Sequence, residues 1–143
     1  MPQWPTGFVG TISHSGQLCV AVVGRAHNLL GIGIDLEEIG PMQPGLASMI
    51  CRPDENDMSG ICGPVDLTLL RFVAKEAFFK AYFPATRAFL DFQDVRVAID
   101  GASGCFEAHL MEQSKPSLCG SRVFGGRFAM LIGYVVAGIW IGR

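Results

Sequence analysis

Residues 31–38 read GIGIDLEE, and the alternation inside them decides how the chain folds. Gly31, Ile32, Gly33 and Ile34 read as the end of a buried strand, after which Asp35 and Glu37 stand two residues apart. Successive strand side chains point to opposite faces, so residues two apart share a face. Two carboxylates thus leave the end of an apolar element on the same side. Like charges that close repel, and a core would not select them. The pair is read as holding something positive.

Working outward, FVGTIS (8–13) and LCVAVVG (18–24) read as strands with a His-Ser-Gly turn between them, and residues 29–37 as a third strand entered through Asn28. The stretch 40–64 is rich in Gly, Pro, Asp and Asn and reads as loop, with a short helix near Leu46 to Ile50. Asp66 is a candidate N-cap for a helix from Leu67 to Phe83, which Pro84 is expected to stop. FLDFQDVRVAID (89–100) alternates like a strand, Asp100-Gly101 begins a turn, and GCFEAHLM (104–111) returns. A last hairpin is expected over about 126–141. This order predicts an α+β fold, an antiparallel sheet packed against one long helix, in one domain spanning 1–143.

The totals exclude several function classes. Half of the 143 residues are apolar and 17% are charged, as in a globular chain. The net charge of −2 has the wrong sign for a phosphate-backbone binder, so nucleic acid is not an expected partner. Five cysteines without CxxC spacing read as reduced thiols of a cytoplasmic protein. The first residues, MPQWPTGFVG, lack the layout of a signal peptide. The most apolar run, Phe128 to Ile141, is shorter than the roughly 20 residues of a spanning helix. No membrane association is expected.

The helix does not obey a simple two-sided pattern. Around DLTLLRFVAKEAFFKAYF (66–83), apolar residues occur on every side, which marks a buried helix. Yet Lys75, Glu76 and Lys80 fall within about 140° of one another at helical spacing, with Phe72 and Phe79 in the same arc. Glu76 and Lys80 have the spacing of a surface ion pair, but charges among buried aromatics need partners. If the helix packs on the sheet, Glu76 converges with Asp35 and Glu37. Three carboxylates make a hard-oxygen site of the kind that holds Mg²⁺ with waters and substrate phosphates. The lysines suit phosphates as point charges, and the set suits phosphoryl-type transfer. Gly31-Ile32-Gly33 also opens like a dinucleotide fingerprint, but Leu36 stands where the third glycine belongs and no helix start follows.

GIGIDLE (31–37) followed by FVAKEAFFKA (72–81) resembles the 4'-phosphopantetheinyl transferases of the surfactin- and enterobactin-synthase type. WPTGFVGTISHSG (4–16) and FLDFQDV (89–95) are similar to flanking segments of that family. The resemblance implies transfer of 4'-phosphopantetheine from coenzyme A to a serine of an acyl- or peptidyl-carrier protein, releasing adenosine 3',5'-bisphosphate. By family position, Asp35, Glu37 and Glu76 would hold Mg²⁺, with Glu76 also the base toward the carrier serine. Lys75 and Lys80 would hold phosphates and steady the leaving charge. Ser13 and His14 would contact the 3'-phosphate of coenzyme A. The pathway served would be fatty-acid, siderophore, polyketide or peptide assembly. Arg52, Arg71 and Arg87 are docking candidates by charge alone, since carriers are acidic around their serine.

Members of this type have two similar halves with coenzyme A between them, and the chain resembles the C-terminal half. Val73 stands where the family often has a small hydroxyl residue. The expectation is therefore a domain lacking the N-terminal half, prone to self-association through the face so left, given a mean hydropathy of +0.36. Two other functions use the same features. One is an inactive remnant that docks carriers inside a larger synthase. The other is a Mg²⁺-dependent pyrophosphate hydrolase with water in place of serine.

Overall fold

A computed structural model describes residues 2–55 and 65–143. The part of the expected loop that covers 56–64, with Cys62, lies outside the described residues. In chain order the elements are β1 (Phe8–Ser15), β2 (Leu18–Arg25), β3 (Leu29–Glu38), α1 (Leu46–Ile50), α2 (Leu67–Thr86), β4 (Val95–Asp100), β5 (Cys105–Leu110), β6 (Val123–Leu131) and β7 (Tyr134–Gly142). Five strands form an antiparallel sheet in the order β3-β7-β6-β5-β4, and β1 and β2 form a separate hairpin. The fold is α+β with one long helix on the sheet, as the element order predicts. No described helix is long and apolar enough to cross a membrane.

Alternation along the strands builds the core. Val135, Ala137, Ile139 and Ile141 of β7 are buried beneath α2, joined by Val95, Val97 and Ile99 of β4 and Phe106, Ala108 and Leu110 of β5. The helix presents Leu70, Val73, Ala74, Ala77, Phe78 and Ala81, all fully buried. Two glycines of the opening motif let the helix come this close. A Cβ at Gly31 would overlap the carbonyl oxygen of Ala81, and one at Gly33 that of Ala77. Gly33→Ala is therefore expected to cost about 3 kcal/mol, the upper end of core overpacking. A urea midpoint unchanged by the substitution would contradict this contact.

Two boundaries differ from expectation. The helix does not end before Pro84 but runs to Thr86, closed by Arg87 in the left-handed region (φ 60°) with its N–H donating to Phe83 O at 2.8 Å. The fixed φ of proline suits a helix, and in the last turn the missing N–H removes a single hydrogen bond. Residues 89–94 are not strand. Asp91 and Asp94 form a capping box around a 3-10 turn at Phe92–Asp94, and the strand begins only at Val95. The final hairpin turns on Ile132 and Gly133, both with positive φ, as a two-residue turn matched to strand twist requires.

Candidate functional site

Strand β3 and helix α2 place the acids. Gly31 and Gly33 pack against the helix carbonyls of Ala81 and Ala77, and Asp35 is the next residue on that face of β3. Lys80 Nζ lies 2.6 Å from Asp35 Oδ1 and donates also to Ile34 O at 3.2 Å. Lys80 thus pairs across to the strand rather than back to Glu76 on its own helix. Asp35 is 5% exposed, and its second oxygen, Oδ2, is buried with no hydrogen-bond partner among the described residues. Burial pushes the Glu76 carboxyl above the ordinary glutamate range; nearby Asp35 and Glu37 push the same way, and Lys80 partly offsets them. These four groups therefore share one electrostatic neighbourhood at the β3–α2 seam.

Lys75, expected beside them, does not join them. Its side chain is fully buried, and its ammonium lies 2.9 Å from Glu55 Oε2, 2.7 Å from Ile50 O and 2.9 Å from Phe92 O. Its three protons are all directed at protein oxygens. One residue earlier than Glu76 on a helix means a rotation of about 100°, which turns Lys75 under the segment after α1 instead of onto β3. Burial lowers its pKa, while Glu55 opposes the shift. Glu55 also accepts from Arg52 N–H at 2.7 Å and Val97 N–H at 2.5 Å.

Ser13 and His14 separate by strand alternation. Ser13 is buried and donates to Asp35 Oδ1 at 2.9 Å, whereas His14 is exposed on the opposite face of β1. Of the arginines considered for docking, Arg71 is only 5% exposed and is withdrawn from that surface. Arg52 is held by Asp54 at 2.9 Å and by Gln93 O. Arg87 caps α2. Sequence reasoning passed over Glu55, Ser15 and Thr11. The signal for the last two was the hydroxyl at every second residue in TISHS (11–15).

The donor set suits a hard divalent cation. It is all oxygen, one buried carboxylate oxygen lacks a partner, and the neighbouring acids hold one another's charge at a cost that a cation would relieve. Among the described residues, no three His, Cys, Asp or Glu side chains stand close enough together to hold a metal ion by themselves. Mg²⁺ is commonly bound by one or two carboxylates, with waters and substrate phosphates supplying the rest.

Known proteins share this layout of motifs. The family model for the 4'-phosphopantetheinyl transferase superfamily matches residues 31–130, which take in most of β3, both helices, β4, β5 and most of β6. The model for the 4'-phosphopantetheinyl transferase N-terminal domain matches residues 1–24, the hairpin segment. The chain is 37% identical over 144 residues to the 4'-phosphopantetheinyl transferase Svp of Streptomyces mobaraensis, covering 96% of the chain and 58% of that relative. It is 34% identical over 116 residues to PptT of Mycobacterium tuberculosis, covering 77% and 51%. Against enterobactin synthase component D of Escherichia coli K12 the identity is 43% over 97 residues, covering 64% and 45%. The chain thus spans about half the length of the curated relatives it matches. Since the superfamily match runs through both the strand with its acids and the helix that faces them, the chain belongs to the 4'-phosphopantetheinyl transferase superfamily.

Proposed function

We propose that the chain transfers 4'-phosphopantetheine from coenzyme A to a serine of an acyl- or peptidyl-carrier protein, with Asp35, Glu37 and Glu76 holding Mg²⁺. The observation that carries this reading is the seam where Asp35 and Lys80 meet beside a Glu76 whose carboxyl is pushed upward. Bound Mg²⁺ would offset the charge of the pyrophosphate. Glu76 is suited to take the proton of the carrier serine, because a raised pKa makes its carboxylate a better base. The serine oxygen then bonds to the phosphorus on the pantetheine side. The bond from that phosphorus to the bridging oxygen breaks, and its electron pair leaves with adenosine 3',5'-bisphosphate. Lys80, part-exposed beside Asp35, is suited to face the leaving charge.

Lys75 is assigned a supporting role, since its donors are spent on Glu55 and two carbonyls. His14, exposed on the hairpin, is the candidate for the 3'-phosphate, and Ser13 is assigned to Asp35. The likeness to enterobactin synthase component D supports siderophore assembly among the pathways considered. Exposed Phe89, Ile132 and Trp140 support self-association. A cytoplasmic location accords with the free thiols of Cys19, Cys51, Cys105 and Cys119.

Asp35→Ala is expected to abolish formation of adenosine 3',5'-bisphosphate from coenzyme A and an apo carrier, with circular dichroism unchanged. Lys80→Ala should slow it while Mn²⁺ still binds. Turnover of Asp35→Ala at the wild-type rate would refute the assignment. Release of phosphopantetheine in the absence of any carrier would favour the hydrolase instead.

A further inference from the structure

Strand β3 is an edge of the five-stranded sheet and, among the described residues, pairs only with β7. Its outward amides would be left unpaired, a state that sheet edges seldom tolerate when covered. Side chains of the parallel-running β1 satisfy three of them. Ile34 N–H donates to Thr11 Oγ1 at 3.3 Å, Leu36 N–H to Ser13 Oγ at 3.2 Å, and Glu38 N–H to Ser15 Oγ at 3.2 Å. An amide N–H can only donate, so each hydroxyl oxygen is the acceptor and keeps its proton to give. Ser13 gives it to Asp35 Oδ1 at 2.9 Å, and Ser15 to Glu37 Oε2 at 3.0 Å. Thr11 occupies the same place in the repeat, but the residue preceding Ile34 is Gly33, which has no side chain to receive it.

We infer that Ser13 and Ser15 are positioning residues for the two strand acids, each tethering one carboxylate oxygen to the edge of β3 so that the other is left for a ligand. The inference rests on the metal reading of Asp35 and Glu37 proposed above. At Asp35 the division is complete: Oδ1 takes both Ser13 and Lys80, and Oδ2 has no partner among the described residues. A carboxylate free to rotate presents its oxygens less often in the binding orientation, and loss of such an outer partner weakens metal binding about 10–100-fold.

The repeat supplies its own control. Ser15 is the better test because it is only part-buried, and Thr11 shows that a threonine fits this ladder. The probe is Mn²⁺ bound by the 143-residue chain without coenzyme A or carrier, followed by the paramagnetic resonance of the free ion, with thermal unfolding measured in parallel. Ser15→Ala is expected to bind Mn²⁺ on the order of 10-fold more weakly, and Ser15→Thr to restore it. Thr11→Val, which loses an edge contact but serves no acid, is expected to melt lower and bind Mn²⁺ as the wild type does. Wild-type affinity in Ser15→Ala, or an equal loss in Thr11→Val, would overturn the positioning role and leave the metal reading standing. A wild-type chain that binds no Mn²⁺ would overturn both.

Discussion

Glu76→Gln is expected to lower the transfer rate on the order of 10²–10⁴-fold, the contribution of a positioned base, while raising the melting temperature at neutral pH in metal-free buffer. The two effects share one cause. Burial and the neighbouring Asp35 and Glu37 hold the Glu76 carboxyl above its ordinary range. The folded chain therefore binds that proton more tightly than the unfolded chain does. Stability from this group is fully present below the unfolded value of about 4.3 and is lost as pH rises through the higher folded value. At neutral pH the ionised carboxylate works against folding, and glutamine removes the penalty. The melting curves of variant and wild type should converge below about pH 4. A Glu76→Gln chain that melts below wild type at neutral pH would show that its carboxylate is stabilising, contrary to this electrostatic account.

The other large effect is structural. Glu55→Ala is expected to destabilise the fold by about 3–5 kcal/mol, because it strands a buried ammonium. Lys75 has no exposed atoms to turn toward water, and Arg52 and Val97 lose an acceptor for their amides at the same time. Replacing the pair together, as Lys75→Met with Glu55→Leu, should recover much of that loss, since a buried ion pair is often matched by apolar residues of similar volume. Urea unfolding of both variants measures this. The folded double variant also separates two roles for Lys75. Retained transfer is the outcome expected of a side chain spent on Glu55. Collapse of transfer with a normal unfolding midpoint would mean that Lys75 reaches the phosphates after all.

These two residues show where local patterns inform and where they stop. A period of two puts Asp35 on the face of Gly31 and Gly33, which pack on Ala81 and Ala77, so an acid aimed at α2 follows from the motif spacing, whereas the bond it takes from Lys80 does not. Nothing in either period reveals Glu55. It lies 20 residues before Lys75 in an irregular segment, and the contact exists only once the chain has closed around α2. FLDFQD (89–94) alternates as a strand would, yet two aspartates three residues apart capture each other's backbone and bend it. The hydroxyl ladder was visible as spacing in TISHS, but its meaning depended on β3 being a sheet edge, a property of the assembled topology. Helix α2 continues past Pro84 because a proline in a last turn removes only one bond.

The measurement that tests the central claim most directly is the mass of an apo carrier protein incubated with this 143-residue chain, coenzyme A and Mg²⁺, beside a sample containing EDTA. A gain of one phosphopantetheine that disappears with EDTA is the result predicted. A carrier whose mass stays unchanged beside a chain shown to be folded, or a gain that survives EDTA, would contradict metal-dependent transfer by these acids.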